Sequence, residues 1–166
     1  MARIHQAPTH LSGAEKKAAT TLYLAGPFEA KGRSWRDEVI EAVDDLDIVV
    51  IDPRNERWPD LEVGSPGRRG AYDWQTSTAY DADVVIVWVP EGSHAPTALL
   101  ILGYLAAKRG NAKKSGSVVV GGGGWDGLVQ LFAQNHRFFP LGEDLDEVIR
   151  IARIELEKSL GATSSG

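Results

Sequence analysis

Residues 20–28, TTLYLAGPF, form an apolar run that ends abruptly at Gly26 and Pro27. Similar short runs follow it along the chain: DIVVIDP at 47–53, DVVIVWVP at 83–90 and SVVVGG at 117–122. They are rich in Val and Ile and lack the polar–apolar alternation of strands that face water on one side. The runs therefore predict buried parallel strands.

Segments with helical periodicity lie between and after these runs, at residues 34–46, 72–82, 96–110 and 143–160, and RFFPL at 137–141 is a weaker candidate strand. Alternation of strands and helices is typical of a parallel sheet with right-handed crossovers. We therefore predict an α/β fold: a single-domain, doubly wound, flavodoxin-like and mostly parallel sheet of about five strands, with helices on both faces.

The length of 166 residues and the hydrophobic content of 43% suit one buried core. Residues 1–19 are polar and aperiodic and GATSSG at the end is small and polar, so we expect a flexible segment at 1–19, a domain at 20–160 and a flexible tail at 161–166. The first twenty residues lack the apolar stretch of an export signal. We expect a cytoplasmic protein.

The formal charge of −5 gives no global reason to expect a nucleic-acid duplex or an anionic membrane as partner. The chain has no cysteine, which excludes thiolate catalysis and disulfides. Its four histidines lack the spacing of metal ligands, so no metal is expected. Any anion site must therefore be local.

In a doubly wound sheet, ligands bind at the carboxyl ends of the strands. The loops there begin at Gly26, Asp52, Pro90 and Gly121, and the second, predicted to reach residue 74, is long enough to suggest a binding segment or lid. Gly122, Gly124 and Gly127 have GxGxxG spacing, but they do not follow the first strand as a dinucleotide site requires. A tight turn with close packing is the favoured interpretation.

Four stretches in order carry a resemblance to a known family: LYLAGPF at 22–28, VVIDPRNERW at 49–58, DWQTSTAYDADVVIVWVPEG at 73–92 and APTALLILGYLAA at 95–107. Together they resemble the nucleoside 2-deoxyribosyltransferase-like family, whose relatives include deoxynucleotide N-hydrolases and CMP N-glycosidases. The resemblance covers about residues 20–122. It implies cleavage of the bond between a nucleobase and C1 of its sugar, without cofactor or metal, in a homo-oligomer.

The resemblance also implies a substrate site for a nucleoside or nucleoside monophosphate. Phe28, with Gly26 and Pro27, would border the base or sugar, and Trp58 and Trp74 would bracket the base. Ser93 and Thr97 would hold sugar and phosphate, and His94 would donate to the leaving base. Arg54 is either a bidentate phosphate ligand or an ordinary surface salt-bridge partner. Lys31 and Arg33 are further candidates for a phosphate contact.

The family's two catalytic acids have no counterpart at the matching positions. The nucleophilic Glu corresponds to Ile101, and the second acid, eight residues before Asp83, corresponds to Gln75. Ile cannot attack C1, and a neutral amide cannot carry a proton at pH 7. If an acid has been relocated, Glu91 and Asp52 are the nearest candidates and Glu29 and Asp73 are weaker ones.

Three function classes stay open. The first is an enzyme, a transferase or a hydrolase, that processes N-glycosidic bonds with a relocated acid or has had its acids substituted. The second is a catalytically silent sensor or partner subunit that binds a nucleoside or nucleotide. The third is a generic flavodoxin-like module for flavin or protein binding. Nucleotide binding with or without base release separates the first two classes.

Overall fold

The predicted apolar runs form the centre of one sheet in the computed structural model, which describes residues 1–28, 34–58, 60–93, 95–109, 116–124 and 140–163. The described strands are β1 (Arg3–Gln6), β2 (Thr20–Ala25), β3 (Ile48–Asp52), β4 (Val84–Trp88), β5 (Ser117–Gly121) and β6 (Leu141–Gly142). Their order in the sheet is β1-β3-β2-β4-β5-β6, and each neighbouring pair is parallel. The predicted α/β doubly wound class is confirmed, with six strands in place of about five.

The described helices are α1 (Gly13–Ala18), α2 (Trp35–Ala42), α3 (Pro66–Asp81), α4 (Pro96–Arg109) and α5 (Leu145–Thr163). Proline is the first residue of both α3 and α4, where its missing N–H costs nothing. Helix α5 runs three residues into the segment 161–166 that the sequence predicts as a flexible tail.

Two cores lie on opposite faces of the sheet because successive side chains of a strand point to opposite sides. On one face Tyr23 and Ala25 of β2 pack among residues of α3 and α4. On the other face Leu22 and Leu24 pack among residues of α2 and α5. Since both faces are covered, the central strands show no polar alternation, which is why they read as continuous apolar runs.

The structure differs from the sequence expectation in the amino-terminal segment. Residues 3–6 form strand β1, which pairs with β3 from Arg3 opposite Val49 to Gln6 opposite Asp52. Its side chains are mostly exposed because β1 is an edge strand, so it lacks the apolar signature of the central strands. The following α1 is capped by Ser12, whose hydroxyl accepts from the Glu15 N–H at 3.2 Å.

The loop after β3 is shorter than predicted. The sequence suggests a loop from 52 to 74, whereas α3 already begins at Pro66. The Ser65 hydroxyl accepts a hydrogen bond from the Arg68 N–H at 3.2 Å, which caps the helix. The glycines at 67 and 70 obscure this helical start, because glycine is a poor helix former.

No helix in the described part of the chain is both long enough and apolar enough to span a bilayer. Within the same residues, no three or more His, Asp and Glu side chains come together as metal ligands would.

Candidate functional site

A cavity of about 640 Å³ opens beyond the carboxyl ends of β2 and β3, with the start of α4 on its other side. In the strand order, β2 lies between β3 and β4, so the crossovers on its two sides diverge at this point. Ligands of doubly wound sheets bind at such switch points. We call this space the switch-point cavity; its walls come from the turn after β2, the loop after β3, helix α3 and the first turns of α4.

The sequence-predicted residues divide between the cavity wall and other places. The switch-point cavity is lined by Gly26, Pro27, Phe28, Arg54, Trp58, Gln75, Thr97 and Ile101. Trp74 lines a second, adjoining cavity instead. Ser93 is in neither wall; its hydroxyl donates to the Pro90 carbonyl at 2.7 Å. His94, Lys31, Arg33 and Glu29 lie outside the described residues.

The Gly26–Pro27 turn is held from below by a buried arginine. Arg36, only 2% exposed, donates from Nη1 to the Pro27 carbonyl at 2.6 Å and from Nη2 to the Gly26 carbonyl at 2.9 Å. A Cβ atom at position 26 would lie 2.4 Å from the Trp35 ring and 2.6 Å from the Trp88 carbonyl oxygen. Packing beneath the turn is therefore sufficient reason for glycine at position 26.

Asp52 is at the centre of an ion-pair network. Its side chain is fully buried; Oδ2 accepts from Arg54 Nε at 2.6 Å, and Oδ1 lies 3.7 Å from Arg36 Nε. It is absent from the wall of the switch-point cavity. This candidate for a relocated acid therefore holds two arginines in place and does not face the space where a sugar would bind.

Arg54 also reaches across to helix α2. Its Nη2 donates to Asp37 at 2.8 Å, and its Nη1 donates to the Ser34 hydroxyl at 3.1 Å. The hydrogen bond from Arg54 is the main reason that the pKa of Asp37 lies below its ordinary value. In place of the surface salt bridge that is one of its two predicted roles, Arg54 forms an internal ion pair with the fully buried Asp52, and its side chain also lines the cavity. Its role as a phosphate ligand stays a prediction.

The two tryptophans pack against each other. The ring centroids of Trp58 and Trp74 are 5.5 Å apart in an edge-to-face arrangement, and Trp74 Nε1 donates to the Thr9 carbonyl at 3.0 Å. Rings in direct contact leave no gap for a third ring. The expectation that they bracket a base is therefore wrong, because Trp74 is a buried support for Trp58.

The described wall of the switch-point cavity is cationic. It includes the guanidinium groups of Arg36, Arg54, Arg68 and Arg69 and no Asp or Glu side chain. Asp52 and Asp37 compensate the first two charges. Arg68 donates to the Trp58 carbonyl at 2.6 Å and Arg69 to the Gly64 carbonyl at 3.3 Å, and neither pairs with a carboxylate among the described residues. This wall favours an anionic ligand.

Gln75 and Ile101 face the same cavity from different helices. Gln75 of α3 is half-buried and Ile101 of α4 is 1% exposed. Thr97 lies beside them in the first turn of α4, where the free N–H groups and the helix dipole favour an anion. The exposed face of Phe28, 45% accessible, completes this part of the wall.

The other candidate acid, Glu91, is exposed and absent from both cavity walls. It lies near the glycine-rich turn after β5, where Gly122 has a φ of 97° and a Cβ would be 2.1 Å from the Val89 carbonyl oxygen. The Gly124 N–H donates to that same oxygen at 2.9 Å. These described glycines form a closely packed turn, and Gly127 lies outside the described residues.

The family profile described as "Nucleoside 2-deoxyribosyltransferase like" matches residues 19–114, more than half of the chain. The chain belongs to this family. The match confirms the resemblance seen in the sequence and includes every described residue of the switch-point cavity wall. No curated protein matches the chain significantly. At the family level the protein is therefore nucleoside deoxyribosyltransferase-like, on an α/β doubly wound fold.

Sequence reasoning missed Arg36, Arg68 and Arg69. A charged residue on an amphipathic helix is normally solvated, so the sequence gives no reason to expect that Arg36 of α2 is buried. Its spacing of about one helical turn from Val39, on the buried side of the helix, is the one available signal. The adjacent Arg68 and Arg69 fall in a segment that reads as a loop. Their approach to the cavity depends on α3 beginning at Pro66.

Proposed function

We propose that this protein binds a nucleotide in the switch-point cavity and does not cleave its N-glycosidic bond by the family's two-carboxylate route. One observation carries the proposal: Gln75 and Ile101 line a common cavity whose described wall contains four arginines and no carboxylate. The family chemistry, as the resemblance implies it, requires an acid on each side of C1. Here an amide and an alkyl group stand at those positions.

The wall still has the groups that nucleotide binding needs. The guanidiniums of Arg68 and Arg69 suit a phosphate, and the Gln75 amide can both donate to and accept from a base or sugar hydroxyl. The exposed Phe28 ring provides a stacking face of the kind that bases use. A silent receptor keeps these binding groups after the reacting ones are lost.

Binding of nucleosides and their 5′-monophosphates, measured by calorimetry together with chromatography of released base, tests the proposal. We expect the monophosphates to bind more tightly, with no base release. Arg68→Gln with Arg69→Gln should weaken monophosphate binding at least about tenfold, since hydrogen bonds to charged groups contribute about 1.5–3 kcal/mol each. Arg150→Gln, an exposed arginine on α5, is the matched control.

Base release by the native protein would contradict the proposal. Glu29→Gln then identifies the source, because Glu29 directly follows the cavity-lining Phe28 and was one of the relocated-acid candidates. Loss of release in that variant would establish an active enzyme with a displaced acid.

Restoring the acids tests the positional correspondence. Gln75→Glu combined with Ile101→Glu should create base release from a bound monophosphate, and Gln75→Glu with Ile101→Gln should not. Burial will raise the pKa of a Glu at position 101, so release should increase as the pH rises towards 8. A double variant that is folded, binds nucleotide and releases no base would mean that these positions do not flank C1.

A further inference from the structure

A second cavity adjoins the first at the carboxyl ends of β1 and β3. Its volume is about 1020 Å³, and its walls include residues 6–8, the loop at 54–58 and Trp74. We call it the amino-terminal cavity. Binding sites for single drug-sized ligands measure roughly 300–1,000 Å³, so each of the two cavities is large enough for a ligand of its own.

The two cavities share one wall. Phe28, Arg54, Asn55, Trp58 and Ala71 line both of them. Their other walls differ: residues around Gln6 and His10 belong to the amino-terminal cavity alone, and Gln75 and Ile101 to the switch-point cavity alone. A ligand that crosses the shared wall therefore reaches two separate sets of side chains.

Residues 6–8 and His10 form the outer wall of the amino-terminal cavity. Hydrogen bonds hold this segment against the loop after β3 and against helix α3. Asn55 Nδ2 donates to the Ala7 carbonyl at 3.3 Å, and Trp74 Nε1 donates to the Thr9 carbonyl at 3.0 Å. The Ala7 N–H in turn donates to the Asp52 carbonyl at 3.3 Å, extending the pairing of β1 with β3. Residues 6–10, which form this outer wall, all lie before residue 19, where the family match begins.

The chemistry of this second wall suits a planar ring with polar edges. Trp58 and His10 provide aromatic surface, and the buried Trp74 lies behind them, with its ring centroid 5.5 Å from that of Trp58 and 6.1 Å from that of His10. Gln6 brings an amide group that matches the hydrogen-bonding edge of a nucleobase, and Asn55, which bonds to the Ala7 carbonyl and the Arg57 N–H, has one N–H and one lone pair left. Such a mixture of aromatic and amide groups fits a heteroaromatic ring better than an alkyl chain.

Cationic groups occur on both sides of the shared wall. Arg57 lines the amino-terminal cavity, Arg68 and Arg69 line the switch-point cavity, and Arg54 lies in the wall between them. Glu56 carries the one negative charge among the described residues of either wall. An anionic group in the middle of a ligand would have cations on each side of it.

We propose that the two cavities together bind an extended nucleotide, in which a second ring-bearing group is joined through phosphates to the nucleoside in the switch-point cavity. The second ring occupies the amino-terminal cavity, and the phosphates lie at the shared wall. This inference rests on the proposed function, because it assigns the nucleoside to the same switch-point cavity.

Calorimetry on the full chain with three probes of one base tests the inference: the nucleoside 5′-monophosphate, the 5′-diphosphate and the symmetric dinucleoside diphosphate. We expect the dinucleoside diphosphate to bind at least about tenfold more tightly than the 5′-diphosphate. Gly70→Leu should abolish this advantage and leave the monophosphate affinity unchanged. Gly70 lines only the amino-terminal cavity, and a Cβ there meets no atom within 4 Å, so a leucine adds bulk at the edge of this cavity without a clash at Cβ.

Gly103→Leu is the matched control, since Gly103 is also inside a helix, lines neither cavity and has the same open space at Cβ. This variant should still bind the dinucleoside diphosphate at least about tenfold more tightly than the 5′-diphosphate. Equal binding of all three probes, or an equal loss for all three in Gly70→Leu, would overturn the inference and leave the proposed function standing. Failure of every nucleotide to bind would overturn both.

Discussion

The carboxyl edge of the sheet has two halves that are built differently. Beyond β2 and β3 the chain leaves two cavities, and charged side chains hold their walls in place. Beyond β4 and β5 the turns pack directly on each other: the Val89 N–H donates to the Gly121 carbonyl at 3.1 Å and the Gly124 N–H to the Val89 carbonyl at 2.9 Å. Among the described residues, backbone packs against backbone in the glycine-rich half, and the arginine-rich half is open.

The difference shows what each residue type does here. Glycines at 122 and 124 allow two backbone segments to touch, so their amides serve the fold. In the open half, Asp52 pairs with Arg36 and Arg54, and those arginines support the turn after β2 and the start of α2. A cluster of glycines alone does not indicate the candidate site, because the cavities lie where charged side chains are paired around an open space.

Removing the charge of Asp52, at the centre of the arginine-rich half, should reduce the stability of the protein most. Asp52→Asn removes the carboxylate whose Oδ1 lies 3.7 Å from Nε of the buried Arg36, and breaking a buried pair costs about 3–5 kcal/mol. We expect the free energy of unfolding to fall by about 3 kcal/mol, measured by urea denaturation. Asp60→Asn, an exposed acid in the same loop, should change it by less than about 0.5 kcal/mol. Equal effects of the two substitutions would show that the network does not hold this half together.

In the glycine-rich half, a single added methyl group should lower the stability of the protein. Gly122→Ala places a Cβ 2.1 Å from the Val89 carbonyl oxygen at a φ of 97°, which L side chains avoid. Strain of this kind costs about 1–3 kcal/mol. Gly123→Ala is the neighbouring control, because its Cβ would come no closer than 3.7 Å to Glu91. We expect Tm to fall in the first variant alone, and a fall of the same size in both would argue against close packing as the cause.

The fold was largely predictable because its central strands are buried on both faces. TTLYLA at 20–25 coincides with β2, and the apolar runs for β3, β4 and β5 lie within a residue or two of the observed strands. Strand β1 escaped prediction because RIHQ at 3–6 is exposed at the edge of the sheet. Only its pairing with β3 makes it a strand, and that contact joins residues about 46 apart in sequence.

The candidate site was predictable where it follows a local motif. Phe28, Gln75 and Ile101 come from three separate stretches, and all three line the switch-point cavity. The amino-terminal cavity was not foreseen, because its wall forms only when Asn55 and Trp74 bind the carbonyls of residues 7 and 9. A tryptophan expected to hold a base instead uses its N–H for this contact, a role that no local pattern reveals.

The smallest expected effect is at the rim of the open half, where Asp37 is partly exposed. Because the pKa of Asp37 is lowered, chiefly by the Arg54 hydrogen bond, its stabilising contribution is present above the ordinary aspartate pKa of about 3.9. It is lost as the pH falls through the lowered value. Asp37→Asn should therefore reduce Tm at pH 7, and its Tm should converge with that of the native protein only once the pH is below the lowered pKa of Asp37. The side chain is 39% exposed, so the loss should stay below about 1 kcal/mol.

Asp45 provides the comparison that separates this pair from an ordinary surface pair. Its pKa is also lowered, chiefly by a hydrogen bond from Arg153, but the pair lies between α5 and the turn after α2 and lines neither cavity. Asp45→Asn should give a similar pH dependence of Tm without changing nucleotide affinity. Asp37→Asn should also weaken nucleotide binding a few-fold, because Arg54 loses the partner that orients it in the shared wall. Unchanged affinity in Asp37→Asn would mean that Asp52 alone positions Arg54.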